Sequence, residues 1–134
     1  MPALFVTGAV FLGLAGLVHL YIFWLESISW PLPTTWRRFG VRSQDEADAI
    51  RPMAYNQGFY NGLLAVEVLA GIILLAGGSL AAAGIALELF GGISMALAAT
   101  VLVLSNPGLA RAAILQGALP LIGVVLTVIG VLGR

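Results

Sequence analysis

Four stretches of this chain stay apolar for longer than a packed soluble helix requires. They run over about residues 3–29, 52–76, 79–104 and 109–132. Each exceeds the roughly 20 residues that carry a helix across about 30 Å of hydrocarbon. Lipid offers no partners to backbone N–H and C=O groups, so such segments must be helices, which bond internally. Composition agrees. Of 134 residues, 60% are hydrophobic and 9% charged, against about 25% charged in a soluble domain. The expected fold is all-α, a membrane-embedded up-down four-helix bundle forming a single domain.

The breaks between spans have mechanisms. Pro31 and Pro33 end the first. Gly77, Gly78 and Ser79 make a tight turn, so the second and third spans form an antiparallel hairpin. Asn106, Pro107 and Gly108 turn the chain into the fourth. Pro120 falls inside that last span, where a ring without an N–H bends a helix. No Lys or Arg precedes the first span, as a basic signal-peptide start would require, so it reads as a retained helix.

The one long polar stretch, about 30–51, carries Arg37, Arg38, Arg42 and Arg51 with Asp45, Glu46 and Asp48. Ser43 followed by Glu46 is a capping-box pattern and predicts a short interfacial helix near 44–51. Trp30 and Trp36 suit the headgroup region, where amphipathic rings settle. Arg111 lies on the same side of the membrane, and only Arg134 on the other. By the positive-inside rule the 30–51 loop is expected in the cytoplasm of a multi-pass cell-membrane protein, with both termini outside. Zero net charge argues against nucleic acid as a partner. The absence of Cys excludes disulfides, thiol catalysis and thiolate metal sites.

Chemistry-bearing residues lie inside the spans. His19 and Glu26 are seven apart, so they share a face of the first helix about 10 Å apart along its axis. Intramembrane ionisable groups are rare and usually functional. The second span opens with Tyr55, Asn56, Gln57, Phe59, Tyr60 and Asn61 around Gly58 and Gly62. The amides and tyrosines predict a broad polar face, and the two glycines a close approach by another backbone. Gln116 falls in the first turns of the fourth helix. His19, Glu26, Asn56, Gln57, Tyr60, Asn61 and Gln116 all belong to the cytoplasmic half, where four helices are expected to enclose a polar pocket. Deeper, Glu67 and Glu88 stand at matching depths on the central hairpin. Two neighbouring buried carboxyls cannot both ionise cheaply, so they are expected to share a proton.

These residues resemble a known pattern. His19-Leu20-Tyr21-Ile22-Phe23 with Leu25-Glu26, then Asn56-Gln57-Gly58-Phe59-Tyr60-Asn61-Gly62, then Gln116-Gly117 with Pro120, are similar to the small four-helix membrane proteins of bacteria and fungi catalogued as domain of unknown function 1304. The resemblance covers essentially the whole chain and implies the same four-helix fold. It implies that His19, Glu26, Asn56, Gln57, Tyr60, Asn61 and Gln116 occupy family motif positions. Glu67 and Glu88 depart from it, since small or apolar residues are usual there. The resemblance implies no mechanism.

Three functions fit the residues. In a membrane enzyme, His19 would act as general acid–base, Glu26 would relay its proton, and Tyr60 with Asn56, Gln57, Asn61 and Gln116 would hold a lipid-like or small apolar substrate. In a permeation subunit, Glu67 and Glu88 would carry protons, and a homodimer would be needed. In an assembly protein, the polar groups would only fix helix packing. No motif calls for a cofactor: there is no zinc signature, no phosphate loop after a strand, and a single His as a metal ligand.

Overall fold

A computed structural model describes residues 3–133. Among them there is no strand, and four helices are long and apolar enough to cross a membrane. The chain is therefore a multi-pass membrane protein of four packed spans. The first, α1, runs Ala3–Phe23 and continues as a π-helical turn, Trp24–Ile28. A short helix, α2 (Pro33–Trp36), and a 3₁₀ turn, Arg37–Phe39, lie in the polar loop. The remaining spans are α3 (Gln44–Gly77), α4 (Ala81–Ser105) and α5 (Ala110–Leu132).

The helices form a ring in which α1 packs on α3 and α5, and α4 packs on the same two from the far side. Leu12, Ala15, Val68 and Met95 fill the centre with no exposed surface. Small residues set the spacing. A Cβ at Gly71 would lie 2.8 Å from the Glu88 amide nitrogen, and one at Gly130 would lie 2.8 Å from the Phe5 backbone. Without a hydrophobic force between helices in lipid, close backbone contact of this kind holds the bundle. The turn between α3 and α4 needs Gly78, whose φ of 77° disfavours any residue with a Cβ.

The interfacial segment departs from expectation. Residues 44–51 are not a separate helix. They are the opening turns of α3, which continues through Pro52 for 34 residues. Proline removes one N–H and crowds the carbonyl four residues back. Contacts on both sides of it keep the two parts together: Ala47 and Ala54 pack with Trp30, Trp36 and Val41 in a second small core. Trp30 also donates from Nε1 to the carbonyl of Ala47 at 3.0 Å. The two tryptophans are thus buried in the loop's own core, not laid out as exposed headgroup anchors. The cap itself forms as expected. Ser43 Oγ accepts from the Glu46 amide at 3.2 Å, and the Glu46 carboxylate reaches back to the Arg42 amide at 2.9 Å.

At 1.5 Å per residue, α3 is about 50 Å long, some 20 Å more than the hydrocarbon thickness. The surplus lies at its N-terminal end. Ser27, near the end of the first span, stands against Gly58, so the turns before Gly58 extend past the apolar part of α1.

Candidate functional site

The inward faces of α1 and α3 follow from small residues. On α3 the buried positions Ala54, Gly58, Ala65, Val68 and Leu75 recur at helical spacing, and Asn61 falls in the same row. On α1 the row is Phe5, Leu12, Ala15, Gly16 and His19. Past His19 the helix widens into the π turn, which buries both Leu25 and Glu26. Isolated π turns inside α-helices are uncommon and often mark functional sites.

Here Asn61 donates from Nδ2 to Glu26 Oε2 at 2.9 Å, and also to its own helix at the Gln57 carbonyl, 3.1 Å. Glu26 is 8% exposed, and its other oxygen bonds to no described residue. Ser27 Oγ donates to the Tyr55 carbonyl at 2.9 Å. Gly58 permits both contacts, because a Cβ there would lie 3.0 Å from the Glu26 Cβ and 3.0 Å from the Ser27 amide nitrogen. Gly62 plays a lesser part beneath the ring of Phe23. The expected close approach across the two glycines is therefore made by α1 of the same chain.

His19 is 1% exposed and its Nδ1 lies 2.9 Å from the Ala15 carbonyl oxygen. A carbonyl can only accept, so Nδ1 carries the proton and Nε2 is left as the ring's acceptor. Nε2 bonds to no described residue. The register of α1 on α5 is set by Phe5 against Gly130, Gly8 against Thr127 and Leu12 against Gly123. Continued down the helices, it brings half-buried Gln116 level with His19.

The other expected members are elsewhere. Asn56, Gln57 and Tyr60 are exposed, Tyr60 by 59%. Asn56 and Tyr60 each stand two residues past a core position of α3, and two residues turn a helix by about 200°. They therefore face away from the bundle, and the amide-and-tyrosine cluster does not line an interior pocket with His19. Two surface grooves among the described residues run along other helix faces, and neither involves these side chains. One, of about 290 Å³, lies between α4 and α5 along Ala96, Ala99, Ala113 and Gly117. The other, about 160 Å³, lies between α1 and α3 along Phe5, Val6, Ile72 and Leu75. Both are almost wholly apolar.

Nor do the two acids of the hairpin share a hydrogen bond. Glu88 is fully buried against Gly71, and neither of its oxygens has a partner among the described residues. Glu67, two residues past core Ala65, is half-buried and lays its Cγ and Cδ beside Gly91 on the outer seam of α3 and α4. The expected matching depths are not met: Glu88 is level with Gly71 and Glu67 with Gly91, an offset of about one turn, and the side chains leave α3 and α4 in different directions. Near Glu88 a residue unmarked by sequence also stands out. Thr127 is fully buried, and its hydroxyl has no partner among the described residues. The pairing of Gly92 with Val124 and of Gly117 with Ala99 places it level with Glu88.

On the loop side, Arg38 donates to the Tyr21 hydroxyl at 3.3 Å and to the Thr34 carbonyl at 3.2 Å, and the Tyr21 ring stacks on Trp24 at 6.0 Å. These contacts tie the loop to the π turn. Among the described residues no cluster of three His, Cys, Asp or Glu side chains is placed to hold a metal.

In comparison with known proteins, residues 13–128 match the family described as Protein of unknown function (DUF1304), and the chain belongs to it. No curated protein and no solved structure matches the chain.

Proposed function

We propose that this member of the DUF1304 family is a membrane enzyme that moves a proton on a lipid-like or small apolar substrate, using His19 and Glu26. The observation that carries the reading is the Asn61–Glu26 hydrogen bond at 2.9 Å on a π-helical turn. It holds one carboxyl oxygen in place and leaves the other unengaged at a slightly open position. Two turns deeper, the Ala15 carbonyl fixes the His19 ring so that Nε2 is the acceptor. In this reading Nε2 takes a proton from substrate and returns it to a different atom, and Glu26 exchanges protons with the loop side. Asn61 orients Glu26, and Gln116, level with His19, binds substrate. Asn56, Gln57 and Tyr60 stand outside this centre. The Arg-rich loop 30–51 is cytoplasmic, which places the centre in the inner leaflet of the cell membrane.

An enzyme of this kind catalyses exchange of a substrate C–H with solvent. Membranes holding the protein, incubated in deuterated buffer, should yield an extractable lipid or small apolar compound that gains deuterium. Glu26→Gln and His19→Ala should each abolish the gain while the bundle stays folded. If no compound gains deuterium over membranes lacking the protein, the reading is wrong.

One observation favours packing instead. His19 and Glu26 each already have a partner within the bundle, as structural polar groups in membranes do. On that alternative both variants lose stability together with any cellular phenotype.

A further inference from the structure

Arg38 is held at the membrane boundary by neutral groups alone. Its Nε donates to the Thr34 carbonyl at 3.2 Å and its Nη1 to the Tyr21 hydroxyl at 3.3 Å. A long cationic side chain at a membrane surface ordinarily carries its charge out to water. This one is turned back along α1, because Tyr21 stands seven residues before Ile28, the end of the first span, or about 10 Å along the axis. Arg37, its neighbour in sequence, lies over the ring of buried Trp36, 5.2 Å from the centroid. Among the described residues neither guanidinium forms an ion pair. Two acids of the loop are engaged at the start of α3, where Glu46 accepts from the Arg42 amide and Asp48 from Gln44. Beside the Arg38 contact the wall is aromatic. The Tyr21 and Trp24 rings stack with planes 17° apart, and each residue is 47% exposed on the outer side of α1.

We propose that Arg38 binds the phosphate of an anionic phospholipid in the leaflet on the loop side, with the glycerol and upper acyl chain of that lipid lying on the Tyr21 and Trp24 rings. A guanidinium carries five N–H donors in one plane. Nε and one N–H of Nη1 are engaged, so the second N–H of Nη1 and both of Nη2 remain. Together these form the fork that fits two phosphate oxygens. The Tyr21 hydroxyl holds that fork against α1. Charge selects the class of lipid. A zwitterionic headgroup brings an ammonium along with its phosphate, and Arg37 stands beside the site to repel it. A headgroup of net negative charge brings no such conflict. The two rings select the source, because they are reached from the bilayer, and a free phosphate from water would leave them uncovered. The site uses neither His19 nor Glu26, so it stands or falls apart from the catalytic reading.

Trp24 is a built-in reporter, since Trp30 and Trp36 are buried. The full-length protein is placed in phosphatidylcholine vesicles that contain a small fraction of phosphatidylglycerol brominated on its acyl chains. Quenching is compared with that from the same fraction of brominated phosphatidylcholine. The anionic lipid should quench as though enriched about fivefold at the protein, the effect of one Arg near an anionic surface. Trp24→Phe should remove the difference. Arg38→Gln should bring the anionic lipid down to the phosphatidylcholine level, and Arg38→Lys, which keeps the charge and loses the fork, should lose most of the enrichment. Tyr21→Phe frees the guanidinium and should at least halve it; this variant carries the test should Arg38→Gln fail to fold. Excess inorganic phosphate at matched ionic strength should leave the enrichment in place. Equal quenching by the two lipids would overturn the proposal. So would full enrichment in Arg38→Gln, Arg38→Lys or Tyr21→Phe, which would leave only diffuse attraction to the loop, or loss of enrichment to inorganic phosphate.

Discussion

Asn61 on α3 donates to Glu26 on α1 at 2.9 Å, joining residues 35 apart in sequence at the point where α1 becomes π-helical. Removing the donor leaves a nearly buried carboxyl without its partner. Asn61→Ala should lower bundle stability by about 1–2 kcal/mol. Asn61→Ala combined with Glu26→Ala should lose less than the sum of the two single losses. Unfolding in mixed micelles, run as a double-mutant cycle, measures the coupling; additive losses would mean the bond contributes nothing.

Gly58 sits under Ser27 and Glu26 with no room for a methyl group. Gly58→Ala should cost about 1–3 kcal/mol, because α1 and α3 must separate to accept it. Gly77→Ala is the control: a Cβ there meets nothing within 4 Å. Thermal unfolding of the two variants in the same detergent should separate them clearly.

Glu88 is expected to respond against intuition. A buried carboxyl whose oxygens have no partner among the described residues lowers stability in the wild-type chain. Glu88→Leu should therefore raise stability, by about 1–3 kcal/mol, whereas Glu88→Gln should not. A Leu variant less stable than wild type would show that the carboxyl has a stabilising partner.

Ser43 caps α3 through the Glu46 amide. Ser43→Ala should cost about 1 kcal/mol and should act locally, loosening the small core around Trp30 and Trp36. Tryptophan fluorescence checks this directly, since Trp30 and Trp36 are two of the three tryptophans and both are buried.

How much of this could be read from sequence differs by level. The four spans, the Gly77–Ser79 turn, the Asn106–Gly108 turn and the Ser43 cap were all legible, because apolar length, turn residues and a capping pair are local signals. The facing of α3 was not. In soluble helices polar against apolar contrast marks the inward side, but a helix in lipid is apolar all round and that contrast disappears. Polarity placed Asn56, Gln57 and Tyr60 inside, whereas they lie outside. The signal that does survive is size: Ala54, Gly58 and Ala65 mark the inward row, as small residues do in membrane bundles. Read that way, Asn61 alone of the cluster would have been placed inward. The π turn carried no local mark in the sequence: no proline or glycine falls within Trp24–Ile28. The 44–51 segment, expected as a short helix of its own, instead joins α3, because contacts around Trp30 hold that helix continuous through Pro52.

The small core of the loop draws all its members from one stretch of chain, between Trp30 and Ala54. Contacts that close over so short a distance form early, ahead of those joining distant segments. During synthesis, this knot can tie as soon as the start of α3 leaves the ribosome. The first two spans would then enter the bilayer as a fastened hairpin, before α4 and α5 exist to be packed against. A released fragment ending just after Gly77, inserted into lipid, should already show the shielded tryptophan emission of the finished protein.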